Sequence, residues 1–178
     1  VDTLGCTTVI CSDKTGTLTR NEMTVNKLYV NGKTIGVTGV GYEPEGNFLQ
    51  DSKELSSLDE DAAILLMIGS LCNNARLEKG ENGWQIIGDP TEGALVVAAA
   101  KAGMWREEME KQHPRVAELP FSSVRKRMST INAMPEGRVA YVKGAPEIIL
   151  DLCDHIQKNG GVRELNEDDR EQILSVIQ

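Results

Sequence analysis

Four stretches of this sequence bring together residue types that could do chemistry. The first is Cys11-Ser12-Asp13-Lys14-Thr15-Gly16-Thr17-Leu18-Thr19, directly behind the apolar and β-branched run Thr7-Thr8-Val9-Ile10. Such a run reads as a buried strand. The polar, glycine-containing segment ends it, which puts Asp13 where a parallel strand stops, the usual place for a site in an open α/β sheet. A carboxylate there can attack phosphorus and carry an aspartyl phosphate. Lys14 adds a cation beside the developing charge. Gly16 lets the backbone approach a phosphate, and Thr15, Thr17 and Thr19 offer hydroxyls and main-chain groups to phosphate oxygens and a metal. Without chemistry, the same residues form a polar loop after a core strand.

The second stretch is Pro120-Phe121-Ser122-Ser123-Val124-Arg125-Lys126-Arg127-Met128-Ser129, in which one of only two phenylalanines precedes three consecutive cations. A purine with a polyphosphate needs a ring to stack on and positive charge for its tail. Equally, a Phe before a strand can be core and a basic triplet a solvated edge. The third, Gly88-Asp89-Pro90-Thr91-Glu92-Gly93, opens a helix with Asp at the cap and Pro in the first turn. Glu92 there either meets a ligand or completes a capping box. The fourth, Tyr141-Val142-Lys143-Gly144-Ala145-Pro146-Glu147, sets an ammonium at a strand end where glycine lets a ligand reach the backbone; the plain alternative is a surface Lys before a glycine turn. No Gly-x-x-x-x-Gly-Lys-Ser/Thr occurs, which excludes a P-loop nucleotidase.

The elements that must position these residues are readable in outline. Leu28 to Val30 and Thr34 to Thr38 form a hairpin around Asn31-Gly32, a type I′ signal. Gly39 to Gly46 is a loop. Ser57-Leu58-Asp59-Glu60 reads as a capping box ahead of a helix to about Cys72. Arg76 to Glu78 and Trp84 to Ile87 are paired strands, Asp89 caps a helix running to Gly103, and Trp105 to Gln112 is a shorter helix closed by Pro114. Met128 to Ala133 and Arg138 to Val142 are strands around Pro135-Glu136-Gly137. Pro146 opens a helix to Leu152, and Asn166 caps a last helix that reaches Gln178 without a stop signal, as though cut inside an element.

The bulk numbers set limits. The chain has 178 residues, enough for one ordinary domain or one and a piece of another. It begins with Val1, as a processed chain or an excised piece would. With 19 basic and 27 acidic residues its net charge is −8, which argues against general nucleic-acid binding and requires any phosphate site to rest on local positive charge. The longest apolar runs, Ala62 to Gly69 and Gly93 to Ala100, fall far short of the ~18 residues of a membrane span, and no signal-peptide pattern is visible. Cys6, Cys11, Cys72 and Cys153 lack Cys-x-x-Cys spacing and read as reduced core thiols. His113 and His155 stand without partners at ligand spacing, against a zinc site.

Asp13-Lys14-Thr15-Gly16-Thr17-Leu18-Thr19 resembles the phosphorylation signature of the P-type ATPases, and the other three stretches resemble the nucleotide-binding domain of that family, in the expected order and over nearly the whole chain. The resemblance implies an α+β fold: an antiparallel sheet flanked by helices, with an N-terminal strand from the α/β phosphorylation domain. Residues 1–20 would be an edge piece of that domain and 21–178 a nucleotide-binding domain truncated at its C-terminus. ATP and Mg²⁺ would be bound. Asp13 would be the phosphorylated nucleophile, with Lys14 and Thr15 in the catalytic set, and the Asp13 carboxylate and Thr15 carbonyl would hold Mg²⁺. Glu92, Phe121, Arg125, Lys126, Met128, Lys143, Gly144 and Ala145 would be nucleotide-binding, with Glu92 toward the adenine amino group, Phe121 stacked on adenine, Lys126 near the phosphates and Lys143 at the bottom of the pocket. Ser123 departs from the family, which has a cation there.

By the same resemblance, the chain is a cytoplasmic domain of an integral membrane protein, itself not embedded in the membrane. Its partners would be the actuator domain, the membrane domain and the rest of the phosphorylation domain. Arg20 to Val25, the Thr38 to Gly46 loop and the Pro120 to Ser129 segment lean toward the calcium-pump branch. The competing readings are a soluble phosphatase of the same superfamily and a non-enzymatic nucleotide-binding module. Related phosphatases carry an acid two residues after the nucleophile, where this chain has Thr15, and that argues against the first. A complete signature around Asp13 argues against the second.

Overall fold

A computed structural model describes residues 22–81 and 83–177. The expected strand before Asp13, and Asp13, Lys14 and Thr15 themselves, lie outside the described residues. Within them the fold is α+β, with every paired strand antiparallel. The strands divide into four sheets: β1(Lys27–Val30), β2(Lys33–Val37), β3(Phe48–Gln50) and β4(Lys53–Glu54) in sequence order; β5(Arg76–Gly80) with β6(Gly83–Ile87); β7(Arg115–Ser122), β8(Arg127–Met134) and β9(Gly137–Gly144); and β10(His155–Lys158) with β11(Gly161–Glu164).

Helix α2(Pro90–Lys101) is the centre of the packing. Seven of its residues, from Gly93 to Ala100 except Leu95, are buried. Ala98 and Ala99 face Leu28, Ile35, Val37, Phe48 and the α1(Glu60–Leu71) residues Ala62 and Leu66. Val96, Val97 and Ala100 face Leu77 beside Trp84 and Trp105. Its small residues make this possible. A Cβ on Gly93 would stand 2.6 Å from Ile86 Cγ2, so only glycine lets β6 lie that close. A third cluster, Leu71, Cys72, Met109, Met128 and Tyr141, joins the end of α1 and α3(Arg106–Gln112) to β8 and β9.

Local signals predict most boundaries. Asn31 and Gly32 have φ of 56° and 75°, as a type I′ turn requires. The cap of α1 is displaced from the expected Ser57 to Asp59, whose Oδ1 accepts from Ala62 N–H at 2.8 Å; with Asp59 at the cap the third helical residue is Ala62, so no capping box forms. Strands β3, β4, β7, β10 and β11 carried no sequence expectation. Pro120 inside β7 explains one omission: proline gives no ladder hydrogen, and the β7–β8 register does shift between Leu119 and Ser122. The Asn159-Gly160 turn (φ 54° and 75°) closes the β10–β11 hairpin, which Asp61 fastens by accepting from Gln157 Nε2 at 2.7 Å and Gly160 N–H at 3.2 Å. Among the described residues no helix is long and apolar enough to cross a membrane.

Pro146 opens α4(Pro146–Asp151) as expected, and helix α5(Glu167–Ile177) also starts as expected, with Asn166 Oδ1 accepting from Asp169 N–H at 2.9 Å. Asp169 is also gripped by the Arg163 guanidinium at 2.5 and 2.7 Å. Arg163 first, then the Asn166 N–H, holds the Asp169 carboxyl down at about 2. A carboxyl whose folded pKa lies below its unfolded value of about 3.9 stabilises the fold fully above that value and loses the effect as pH falls toward 2. Asp169→Asn should therefore lower the melting temperature at pH 7, with the gap to the parent closing between about pH 4 and 2 in thermal melts at stepped pH. A gap independent of pH would show that shape rather than charge matters at Asp169.

Candidate functional site

β7 and β8 meet at Ser122 opposite Arg127, and Lys126 N–H closes the turn on Ser122 O at 2.6 Å. This closure holds Lys126 at φ 50°, a left-handed conformation that costs a residue with a side chain about 1–2 kcal/mol. Arg125 folds back and donates to Pro120 O at 2.6 Å, and Arg127 Nη1 donates to Arg125 O at 3.2 Å. The Lys126 side chain is exposed and has no partner among the described residues. Phe121 beside it is 64% exposed, whereas Phe48 is 7% exposed in the core. The two phenylalanines of the chain thus have opposite roles, and Phe121 is not core.

β9 runs antiparallel to β8 and places Lys143 opposite Met128 and Gly144 opposite Arg127. Ala145 N–H donates to Lys126 O at 3.0 Å, so the basic turn is seated on the end of β9. A Cβ on Gly144 would collide with Lys126 O and lie 2.6 Å from Arg127 Cβ. The space that glycine leaves is therefore filled by the turn's own backbone, where the sequence suggested a ligand. Met128, expected among the nucleotide contacts, needs correcting: it is 1% exposed and packs with Leu71, Cys72, Met109 and Tyr141. In a strand side chains alternate faces, and Met128 takes the inner one, as the floor of the site.

Helix α2 brings Glu92. Asp89 Oδ1 accepts from Thr91 N–H at 2.8 Å and Glu92 N–H at 3.1 Å, and these bonds, the Glu92 one first, hold the Asp89 carboxyl below the usual carboxylate range. The Glu92 carboxylate does not return to its own helix start. Its Oε1 lies 2.7 Å from Lys143 Nζ, and its Oε2 accepts from Asn74 N–H at 3.0 Å. The buried Lys143 ammonium meets this carboxylate as an ion pair and has no other polar partner among the described residues, and three N–H donors let it serve a further acceptor beside Glu92.

One end of the β7–β8–β9 sheet thus presents an exposed ring, an exposed ammonium, and a carboxylate beside a second ammonium. A nucleobase edge that both donates and accepts matches the last pair, a ring face matches Phe121, and an anionic tail matches Lys126. Arg125 is placed on the same turn but spends its guanidinium on the backbone. Sequence reasoning missed Asn73 and Asn74, which touch Glu92, and Arg115 and Glu118, which hold Asn74; no local pattern announces the contacts that tie them to Glu92 and to each other's segments, because these span 18 to 44 residues.

A family model described as P-type ATPase, cytoplasmic domain N, matches residues 62–178. The chain belongs to the P-type ATPase family. It is similar to a calcium-transporting ATPase of Bacillus subtilis (strain 168), at 39% identity over 180 residues that cover 99% of this chain and 20% of that protein. A cation-transporting ATPase of Synechocystis is 42% identical over 167 residues, 90% of this chain and 18% of that protein. An endoplasmic reticulum-type calcium-transporting ATPase of Arabidopsis thaliana is 36% identical over 204 residues, 99% of this chain and 19% of that protein. This P-type ATPase chain therefore spans about a fifth of the length of these curated relatives. Glu92, Phe121, Lys126 and Lys143 all fall within the stretch matched as domain N, and Asp13 precedes it.

Proposed function

We propose that this chain binds ATP at the end of the β7–β8–β9 sheet and is the nucleotide-binding part of a cation pump, with Ca²⁺ as the transported ion, in which Asp13 takes the γ-phosphoryl group. The observation that carries the reading is the exposed Phe121 next to Lys126, whose side chain has no partner among the described residues, with the Glu92–Lys143 pair on the same sheet end. The adenine face stacks on Phe121, the 6-amino group donates to Glu92, Lys143 donates to a ring nitrogen, and Lys126 faces the phosphates. The relatives support the ion: two are calcium-transporting ATPases and one is a cation-transporting ATPase.

In the reaction, a carboxylate oxygen of Asp13 attacks the γ-phosphorus in line. A new carboxyl O–P bond forms, the β–γ bridging P–O bond breaks, and ADP leaves with the electron pair. Bound Mg²⁺ would neutralise charge on the transferring group, with Asp13 and Thr15 as the residues that would hold it. Thr15 offers no carboxylic acid near the acyl phosphate, so nothing at that position promotes its early hydrolysis. The chain's own contribution at the other end is to fix the nucleotide so that phosphorus and carboxylate meet.

The test is a titration of the chain with ATP followed by amide chemical shifts. Binding in the high-micromolar to millimolar range, roughly 4–6 kcal/mol, is expected, with shifts at Glu92, Phe121 to Arg127 and Lys143 to Ala145. Phe121→Ala should weaken ATP about tenfold or more, since base–aromatic stacking contributes on the order of 1–3 kcal/mol. Because Phe121 is not part of the core, the variant should melt near the parent. Unchanged affinity in a folded Phe121→Ala chain would remove the ring from the site.

A further inference from the structure

The Glu92 carboxylate is held from outside its own helix. Asn74, in the turn that follows α1, gives its backbone N–H to Glu92 Oε2 at 3.0 Å. That turn is irregular, so something must fix where this N–H points. Asn74 Nδ2 donates to Glu118 Oε1 at 2.8 Å, and Asn74 Oδ1 accepts from Arg115 Nη1 at 2.7 Å. Arg115 and Glu118, both on β7, are paired with each other at 2.9 Å. Arg115 Nη2 further donates to Leu71 O at 2.9 Å and to Asn73 O, so the guanidinium clamps the backbone on either side of Cys72. Asn73, fully buried, donates from Nδ2 to Glu92 O at 2.8 Å and to Gly69 O at 2.9 Å. Glu92 is thus gripped at its carboxylate by Asn74 and at its carbonyl by Asn73.

We infer that Asn74, anchored by Arg115 and Glu118, is a positioning residue that fixes the orientation of the Glu92 carboxylate and so sets the preference for a purine carrying a 6-amino group over one carrying a 6-oxo group. The inference rests on the nucleotide reading of the site given above. The chemistry is one of sign. A carboxylate only accepts hydrogen bonds, so a 6-amino group meets it as a donor, whereas a 6-oxo group meets it as a second acceptor, is repelled from Oε1 and has to turn toward Lys143 instead. That discrimination needs the carboxylate held in place. The Asn74 N–H fixes Oε2, which leaves Oε1, beside Lys143, as the oxygen turned to the base. Loss of the Asn74 side chain leaves its N–H in the chain but frees the turn that aims it. Glu118 is kept charged for this role: Asn74 first, then Arg115, holds its carboxyl below the usual range.

The test compares ATP with inosine triphosphate, whose base carries a 6-oxo group, by amide-shift titration of the chain. The parent should prefer ATP. Asn74→Ala should reduce the ATP-to-ITP affinity ratio about fivefold, the scale of one hydrogen bond of ~1 kcal/mol, by weakening ATP while ITP stays nearly unchanged. In a Glu92→Gln background the same Asn74→Ala change should leave the ratio within about twofold, as expected when two residues act through one contact. If Asn74→Ala does not fold, Glu118→Ala removes the anchor from β7 and should shift the ratio in the same direction. Equal weakening of ATP and ITP would overturn the inference, because the network would then support β7 and Phe121 rather than Glu92. An unchanged ratio in a parent that binds both nucleotides would overturn it as well. A parent that binds neither would overturn the nucleotide reading and this inference with it.

Discussion

Gly144→Ala should destabilise the chain by about 3 kcal/mol, the upper end of the range for forcing an extra carbon into packed structure. The added Cβ would lie 2.6 Å from Arg127 Cβ and 2.8 Å from Arg127 Cα, besides colliding with Lys126 O. Two of these three atoms are backbone, and no rotamer change moves them. The relief available is to lift the basic turn off β9, which breaks the Ala145 N–H bond to Lys126 O and displaces Lys126 and Phe121. Thermal melts should show a fall of roughly 6–12 °C for a chain of this size, and ATP affinity should fall with it. Gly36→Ala is the control. Gly36 sits in β2, and a Cβ there would meet Leu49 Cβ and Leu49 O at an ordinary 3.7 Å. That variant should melt within a degree or two of the parent. If Gly144→Ala proves equally harmless, the turn is not seated on β9 as described.

If the proposed function holds, Asp13→Asn should abolish phosphoryl-enzyme formation in the full-length protein while leaving ATP binding within about twofold. An amide nitrogen is not a nucleophile toward phosphorus, and the loss of a covalent nucleophile typically costs several orders of magnitude in rate. The proposed ATP contacts at Glu92, Phe121, Lys126 and Lys143 belong to other segments of the chain, so they should survive. The measurement is acid-stable, hydroxylamine-sensitive incorporation of γ-labelled phosphate, run alongside equilibrium ATP binding on the same preparation. A variant that still incorporates label would remove Asp13 from the chemistry. One that loses label and ATP binding together would mean that Asp13 supports the nucleotide site rather than the transfer step.

The sequence by itself determined the family and the punctuation of the fold. Asn31-Gly32, Asp89-Pro90 and Asn166 mark a turn and two helix starts through bonds made within three residues, which is why these marks survive in the structure. The seven residues from Asp13 to Thr19 are similarly self-contained as a signature. Tertiary structure decided where the candidate side chains among the described residues lie and what they touch. Phe48 and Phe121 are the same residue type, and only the segments packed over them make one 7% and the other 64% exposed. Met128 and Lys143 are opposite each other across two strands, yet one is core and the other half-buried in the site. Glu92 satisfies the spacing of a capping box, but its carboxylate turns to Lys143 and Asn74, 51 and 18 residues away in the chain. A local bond to the cap would have neutralised one backbone donor, whereas the distant ammonium offers a charge and the Asn74 N–H a fixed direction, and the stronger partners win. The same holds for Gly144, whose reason is the carbonyl of Lys126. Partners brought together by folding leave no mark at short spacing, so the positioning of the site could be read only once the strands and helices were in place.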